Sequence, residues 1–304
     1  MSFRRITHFF RRQQRTGRLG LEVRPDGIAW AELSASGALV ATGFENCTPA
    51  GRLPALTALV ETRRLQGSPV DAVVSVDHYQ IFQIERPAVE DNELVDAVRW
   101  RLKDLLDYSP DDAVFDVFPF PEDAARGRGA LINVVSARKS LIRELAKLTE
   151  EAALTLARVD IAELALRNLA ARLESGNRCV ALVYLRSNHG QVVLTQGPVL
   201  YLSRRIDVTA ESLSDVVQQE MAVQGLALEL QRSLDYYESQ MGQVPPRQIH
   251  LLARADGLPL AEMLNVNLAA EVVRLDPARV GIPELDERSV LACAALLSDQ
   301  GVTA

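Results

Sequence analysis

Cysteine is scarce in this chain. Cys47, Cys179 and Cys293 are spread over 304 positions, too few and too far apart for a disulfide framework or a C-x-x-C metal pair. The four histidines (His8, His78, His189, His250) are equally scattered, which argues against a zinc site. No apolar run approaches the ~20 residues that span a bilayer. The richest stretch, 152–171, is interrupted by Arg158, Asp160, Glu163 and Arg167. No secretory h-region opens the chain. Aromatic residues make up 5%, so a core must rest on Leu, Val, Ile and Ala. Catalytic signatures are missing too: no G-x-S-x-G elbow, Walker A loop, H-E-x-x-H or G-x-G-x-x-G occurs. Adjacent acids such as Asp111-Asp112 and Glu150-Glu151 read as solvated faces. These absences point to a reducing, cytoplasmic compartment and away from metal or nucleophilic catalysis.

What is present is ordinary for a globular protein, with 48% hydrophobic and 24% charged residues, and the length suggests about two domains. Charge is uneven. Residues 1–18 hold six arginines and no acid, leaving the rest with 27 basic against 40 acidic residues. A body that acidic is a poor nucleic-acid binder. The basic segment carries Arg4, Arg5, Arg11 and Arg12 beside Phe9 and Phe10. Its apolar residues Phe3, Ile6 and Phe10 fall near one helical face, as a membrane-surface anchor requires. The alternative is a solvated tail.

Periodicity places strands at Leu19–Val23, Ile28–Leu33 and Leu39–Phe44, around turns at Arg24-Pro25-Asp26-Gly27 and Ser36-Gly37. A helix at Leu53–Leu65 and a strand at Ala72–Val76 follow. Next come a strand at Tyr79–Ile84, an amphipathic helix at Val89–Leu106, and strands at Val114–Phe118 and Leu131–Val135. Helix Leu141–Ala152, strand Leu156–Val159 and helix Ala162–Leu173 lead to a break at Ser175-Gly176-Asn177. The second half opens on another three-strand meander: Cys179–Leu185, Gln191–Thr195 and Val199–Ile206. Helices at Glu211–Gln224 and Leu226–Met241 come after it, then Ile249–Leu252, Leu258–Leu264, Val272–Arg274 and Ser289–Leu297. Two halves with a common opening indicate an internal duplication of architecture. The expected fold is α/β and bilobal, of the actin-like (ASKHA) class, with a cleft between the lobes. In that class the turn between the first two strands of each lobe holds nucleotide phosphates.

Several segments together resemble the PilM-type proteins of type IV pilus assembly, nearest to the MshI branch of MSHA pilus biogenesis. The most specific is Glu229-Leu-Gln-Arg-Ser-Leu-Asp-Tyr-Tyr237, similar to that family's E-x-x-R-S-x-x-Y-Y helix. Asp116–Phe120, Val135–Lys139, Val159–Ala165 and Leu202–Ile206 support it by order and spacing. The resemblance implies an FtsA/PilM-type fold: a first lobe over 19–175, an inserted α/β subdomain at about 78–153, and a second lobe over 176–304. It also implies a place on the cytoplasmic face of the inner membrane. The partner would be the cytoplasmic N-terminal tail of a PilN-like single-span protein, held in a groove whose residues form no transferable motif. Other pilus assembly proteins and the motor ATPase would complete the machine.

Where the family reads G-x-D-x-G-S-S-S-x-K at the first phosphate loop, this chain reads Gly20-Leu-Glu-Val-Arg-Pro-Asp-Gly-Ile-Ala29. The acid survives as Glu22, but Arg24 replaces a glycine and Pro25 removes a donor. At the second loop, Tyr184 and Arg186 stand where D-x-G is usual. The adenosine loop, Leu252–Gly257, has no Gly-Gly pair and contains Arg254. Small residues are needed there so that backbone N–H groups can approach phosphate. The expectation is a degenerate cleft, with no ATP or Mg bound and no catalysis. Arg24, Arg186 and Arg254 converging on an anion is one reading; pairing with local carboxylates such as Glu22 is the other, and the favoured one. An ATP-dependent switch of the same fold, or a type II secretion relative, is the alternative function.

Overall fold

The computed structural model describes residues 17–173, 178–253, 258–282 and 284–297. Three sheets organise it. The first comprises β1 (Arg18–Arg24), β2 (Gly27–Leu33), β3 (Leu39–Asn46), β4 (Pro69–Val74) and β8 (Thr155–Ile161), in the order β3-β2-β1-β4-β8. The second comprises β9 (Cys179–Leu185), β10 (Gly190–Gln196), β11 (Val199–Ile206), β12 (Gln248–Ala253) and β13 (Glu271–Arg274), in the order β11-β10-β9-β12-β13. The two share one plan. In each, a meander runs antiparallel, and the first strand then pairs in parallel with a strand reached by a crossover. The third sheet, β5-β7-β6, is antiparallel and joins β5 (Tyr79–Glu85), β6 (Ala113–Pro119) and β7 (Leu131–Arg138). It is inserted between β4 and β8.

Two helices cross between the halves. α4 (Ala162–Ala170) leaves the first sheet, and α8 (Val290–Ala295) comes last among the described elements. Both are buried with apolar residues of each lobe, Val73 and Leu33 from one and Leu182, Tyr184 and Val193 from the other. α8 lies so close to β1 that a Cβ on Gly20 would sit 2.0 Å from the Ala292 carbonyl oxygen. The first lobe's own core joins Leu19, Leu21 and Ile28 with Leu56, Leu59 and Val60 of α1 (Arg52–Arg63) and Leu145 of α3 (Lys139–Glu151). α3 therefore packs with the first lobe, and the strands of the inserted sheet span 79–138.

Two helix expectations fail for local reasons. The helix expected over Val89–Leu106 is only α2 (Leu94–Arg101), and Leu105, expected on its buried face, is 58% exposed. Asp104 and Asp107 follow the C-terminus, where the helix dipole disfavours anions, and Ser109-Pro110 blocks extension. The second lobe's two expected helices are redrawn as α5 (Ala210–Ser214) and one long α6 (Gln219–Ser239). Gly225 does not interrupt α6. The break sits at Asp215, whose carboxylate accepts the Val217 N–H at 2.8 Å, offering the backbone a local alternative to the helix. Elsewhere, boundaries move by a few residues, as element ends do. α7 (Leu260–Asn265) completes the second lobe. Tyr237 of α6 is fully buried, and its hydroxyl accepts from Gln196 Nε2 at 2.7 Å.

Candidate functional site

The interlobe cleft is built from the ends of the two first strands. Alternation along β1 sends Leu19 and Leu21 into the first core and leaves Glu22, fully buried, on the other face. β9 does the same in the second lobe: Ala181, Val183 and Leu185 enter one core, and Leu182 and Tyr184 enter the interlobe core. Burial pushes the Tyr184 phenol up to about 12, so it is a neutral side chain. Arg186 follows β9. Its N–H donates to the His189 carbonyl and its carbonyl accepts from Ala210, both at 2.8 Å. Its Nη1 donates to Glu22 Oε1 at 2.5 Å, and both side chains are buried. Burial works against the Arg186 charge, yet the Glu22 carboxylate that it meets holds its pKa above the ordinary arginine value.

Arg24 is equally occupied. Its Nε and Nη2 each donate to the Asp26 carboxylate at 3.0 Å, and its guanidinium lies 4.9 Å from the Phe44 ring centroid. Arg288 approaches the same ring at 4.6 Å and is bidentate to Asp286. Arg24, Tyr184, Arg186, Glu211, Glu287 and Arg288 border a cavity of about 400 Å³. Three described arginines thus reach the cleft, and each already has its own carboxylate. Arg254 and the N-terminal residues Arg4, Arg5, Phe9, Phe10, Arg11 and Arg12 lie outside the described residues.

A phosphate nest needs successive free N–H groups. Here Arg24 pairs directly with Gly27, so the first turn is only Pro25-Asp26, one residue without a donor and one carboxylate. Nor do the described residues contain a group of three or more acids, histidines or cysteines able to hold a metal ion.

A second feature lies away from the cleft. Strand register arranges the face of the inserted sheet opposite α2 in rows: Tyr79–Ala137–Val114, Ile81–Val135–Asp116 and Gln83–Asn133–Phe118. Val114 and Ile81 are 39% and 36% exposed. Beneath this face, toward the first lobe, is a groove of about 520 Å³. It runs between β6, an edge strand of the inserted sheet, and β8, an edge strand of the first sheet. Phe118, Val135, Val159, Ile161 and Leu164 give it apolar walls, and Asp116, Asp160 and Arg167 give it charge. Burial raises the Asp160 carboxyl above its ordinary range. Three of the segments singled out in the sequence, 116–120, 135–139 and 159–165, meet in this groove. No pattern in the sequence announced that meeting, because it depends on how the insertion folds back on β8.

Glu229 and Arg232 of α6 form the helix-surface ion pair that their spacing suggests, at 2.7 Å. Sequence reasoning missed Asp26, Phe44 and Arg288, because Arg24 meets Phe44, and Phe44 meets Arg288, only in the folded chain.

No known family pattern matches the chain, and no curated protein matches it. Solved structures do. The PilM–PilN type IV pilus biogenesis complex gives a TM-score of 0.70 at 21% identity, over 93% of this chain and 98% of that one. The cytoplasmic domain of EpsL, an inner-membrane component of the type II secretion system of Vibrio cholerae, gives 0.58 at 15%, over 93% and 96%. A Bacteroides thetaiotaomicron protein with an actin-like ATPase fold gives 0.56 at 10%, over 92% and 97%. At these identities the likeness is one of fold: the chain is an α/β protein of the actin-like ATPase fold.

Proposed function

We propose that this protein is a non-enzymatic scaffold of a type IV pilus assembly machine, PilM-like and of the MSHA branch. It holds the cytoplasmic tail of a PilN-like inner-membrane protein and links it to other assembly proteins and the motor. The observation that carries the reading is the groove between the edges of β6 and β8, where three of the PilM-like sequence segments come together. Unpaired strand edges accept an extended peptide through main-chain hydrogen bonds, and the apolar pockets beside them take alternate side chains. Support also comes from the overall likeness to the PilM–PilN complex. In the cleft, paired guanidiniums and a Pro-Asp turn stand where phosphate would need bare main chain, which favours an adaptor over an ATP-driven switch. No described helix is long and apolar enough to cross a membrane. In this reading, attachment to the inner-membrane face falls to the partner and to the arginines of residues 1–18.

The test is peptide binding by the full-length protein, read by fluorescence anisotropy with synthetic tails of PilN-like proteins. Val135→Glu would put a charge on the groove's apolar face and should weaken binding by at least about tenfold, or ~1.4 kcal/mol. Binding unaffected by Val135→Glu refutes the groove. Titration with ATP and Mg²⁺ in a calorimeter should give no heat; micromolar affinity would favour the switch.

A further inference from the structure

Three ties join parts of the molecule that a hinged two-lobe protein would let move. The first is the Glu22–Arg186 pair, which crosses the cleft from β1 to the end of β9. The second is a junction at Glu163 of α4. One carboxylate oxygen accepts the Tyr79 hydroxyl from the inserted sheet, and the other accepts Gln191 Nε2 from β10 at 2.8 Å. The Tyr79 oxygen also accepts the Ala162 N–H. The third is the loop from β6 to β7. It leaves the inserted sheet and buries Phe120, Ala124 and Ala125 in the second lobe's core, among Leu194, Leu226 and Leu230. Within that loop Asp123 accepts the Tyr201 hydroxyl at 3.0 Å and Gln243 Nε2 at 3.1 Å, and Arg126 donates to the Ser239 carbonyl.

We propose that the two lobes are constitutively closed. The 120–128 loop is a strap that fastens the inserted sheet, rooted in the first lobe, to the second lobe. The Glu22–Arg186 pair neutralises the cleft floor, so closure needs no ligand. The physical logic separates the two roles. A complete buried pair contributes little net, since hydration recovered on opening offsets the contact. Apolar burial of the strap and its satisfied hydrogen bonds therefore favour the closed form. The pair becomes decisive only when halved, because the closed form must then bury an uncompensated charge. In a two-state cleft a ligand closes the lobes through its differential affinity for the closed form; here residues of the chain itself supply that difference. The lock goes beyond the scaffold reading and holds whatever occupies the groove under β6.

Hydrogen exchange of the full-length protein, followed by mass spectrometry, tests this. In the unmodified protein the segments 20–27 and 184–190 should exchange slowly, as one population, and unchanged by millimolar ATP and Mg²⁺. Asp123→Ala with Arg126→Ala should speed exchange in the strap and also in both cleft segments, by roughly tenfold or more. Arg186→Ala should speed the cleft segments. The double replacement Glu22→Leu with Arg186→Met, which removes both charges, should return them close to the unmodified rate and remains informative if Arg186→Ala fails to fold. Two exchanging populations in the unmodified protein, protection by ATP, or a loosened strap that leaves the cleft segments untouched would each overturn the proposal.

Discussion

Arg186→Ala should be among the most damaging single substitutions in the chain. It would strand the Glu22 carboxylate at 0% exposure, with its Oε2 already lacking a hydrogen-bond partner. Removing one member of a buried pair costs about 3–5 kcal/mol, because the remaining charge must be buried alone or protonated. At roughly 2.1 cal/mol/K of unfolding entropy per residue, a loss of ~4 kcal/mol over a chain of this length lowers Tm by about 6 °C. Urea unfolding followed by circular dichroism would report the loss as a lower midpoint at unchanged slope. Glu22→Leu with Arg186→Met is the control, expected within about 1–2 kcal/mol of the parent, because well-packed apolar groups replace buried pairs at little cost. A loss below about 1 kcal/mol for Arg186→Ala would mean that Glu22 finds water or another donor, and the account of a sealed cleft floor would fail.

Other perturbations probe separate links. Burial, reinforced by Arg186 and Arg205, lowers the His189 pKa from 6.5 to about 4. The native state thus binds this proton less readily than the unfolded chain does. Its contribution is fully present above pH 6.5 and declines as pH falls toward 4, by up to about 3 kcal/mol. His189→Gln should flatten the stability curve across that window; an unchanged slope refutes the assignment. Gly20→Ala drives a methyl into the Ala292 carbonyl and should cost about 1–3 kcal/mol through displacement of α8, measured by the same unfolding assay; wild-type stability would contradict the close packing. Replacing Arg4, Arg5, Arg11 and Arg12 by Ser should reduce sedimentation with anionic vesicles, and equal pelleting would leave the segment a solvated tail. Deleting the whole insertion is a poor test of the groove, because Phe120, Ala124 and Ala125 belong to the second lobe's core.

The sequence alone determined the duplicated plan and most of its strands. Alternating apolar residues and turn clusters such as Pro25-Asp26-Gly27 are local signals, and β9 and β11 fall where periodicity puts them. It also set an arginine, Arg24 and Arg186, at the end of the first strand of each half, since that needs only residue identity. Which carboxylate each arginine takes was settled by folding. Asp26 is two residues from Arg24, but Glu22 and Arg186 are 164 positions apart, and no periodicity connects them. Helix ends went astray where side chains competed for backbone donors, as at Asp215. The strap and the groove under β6 belong wholly to tertiary structure: each arises where an inserted sheet meets strands distant in sequence, and such meetings depend on burial and shape rather than on any local pattern.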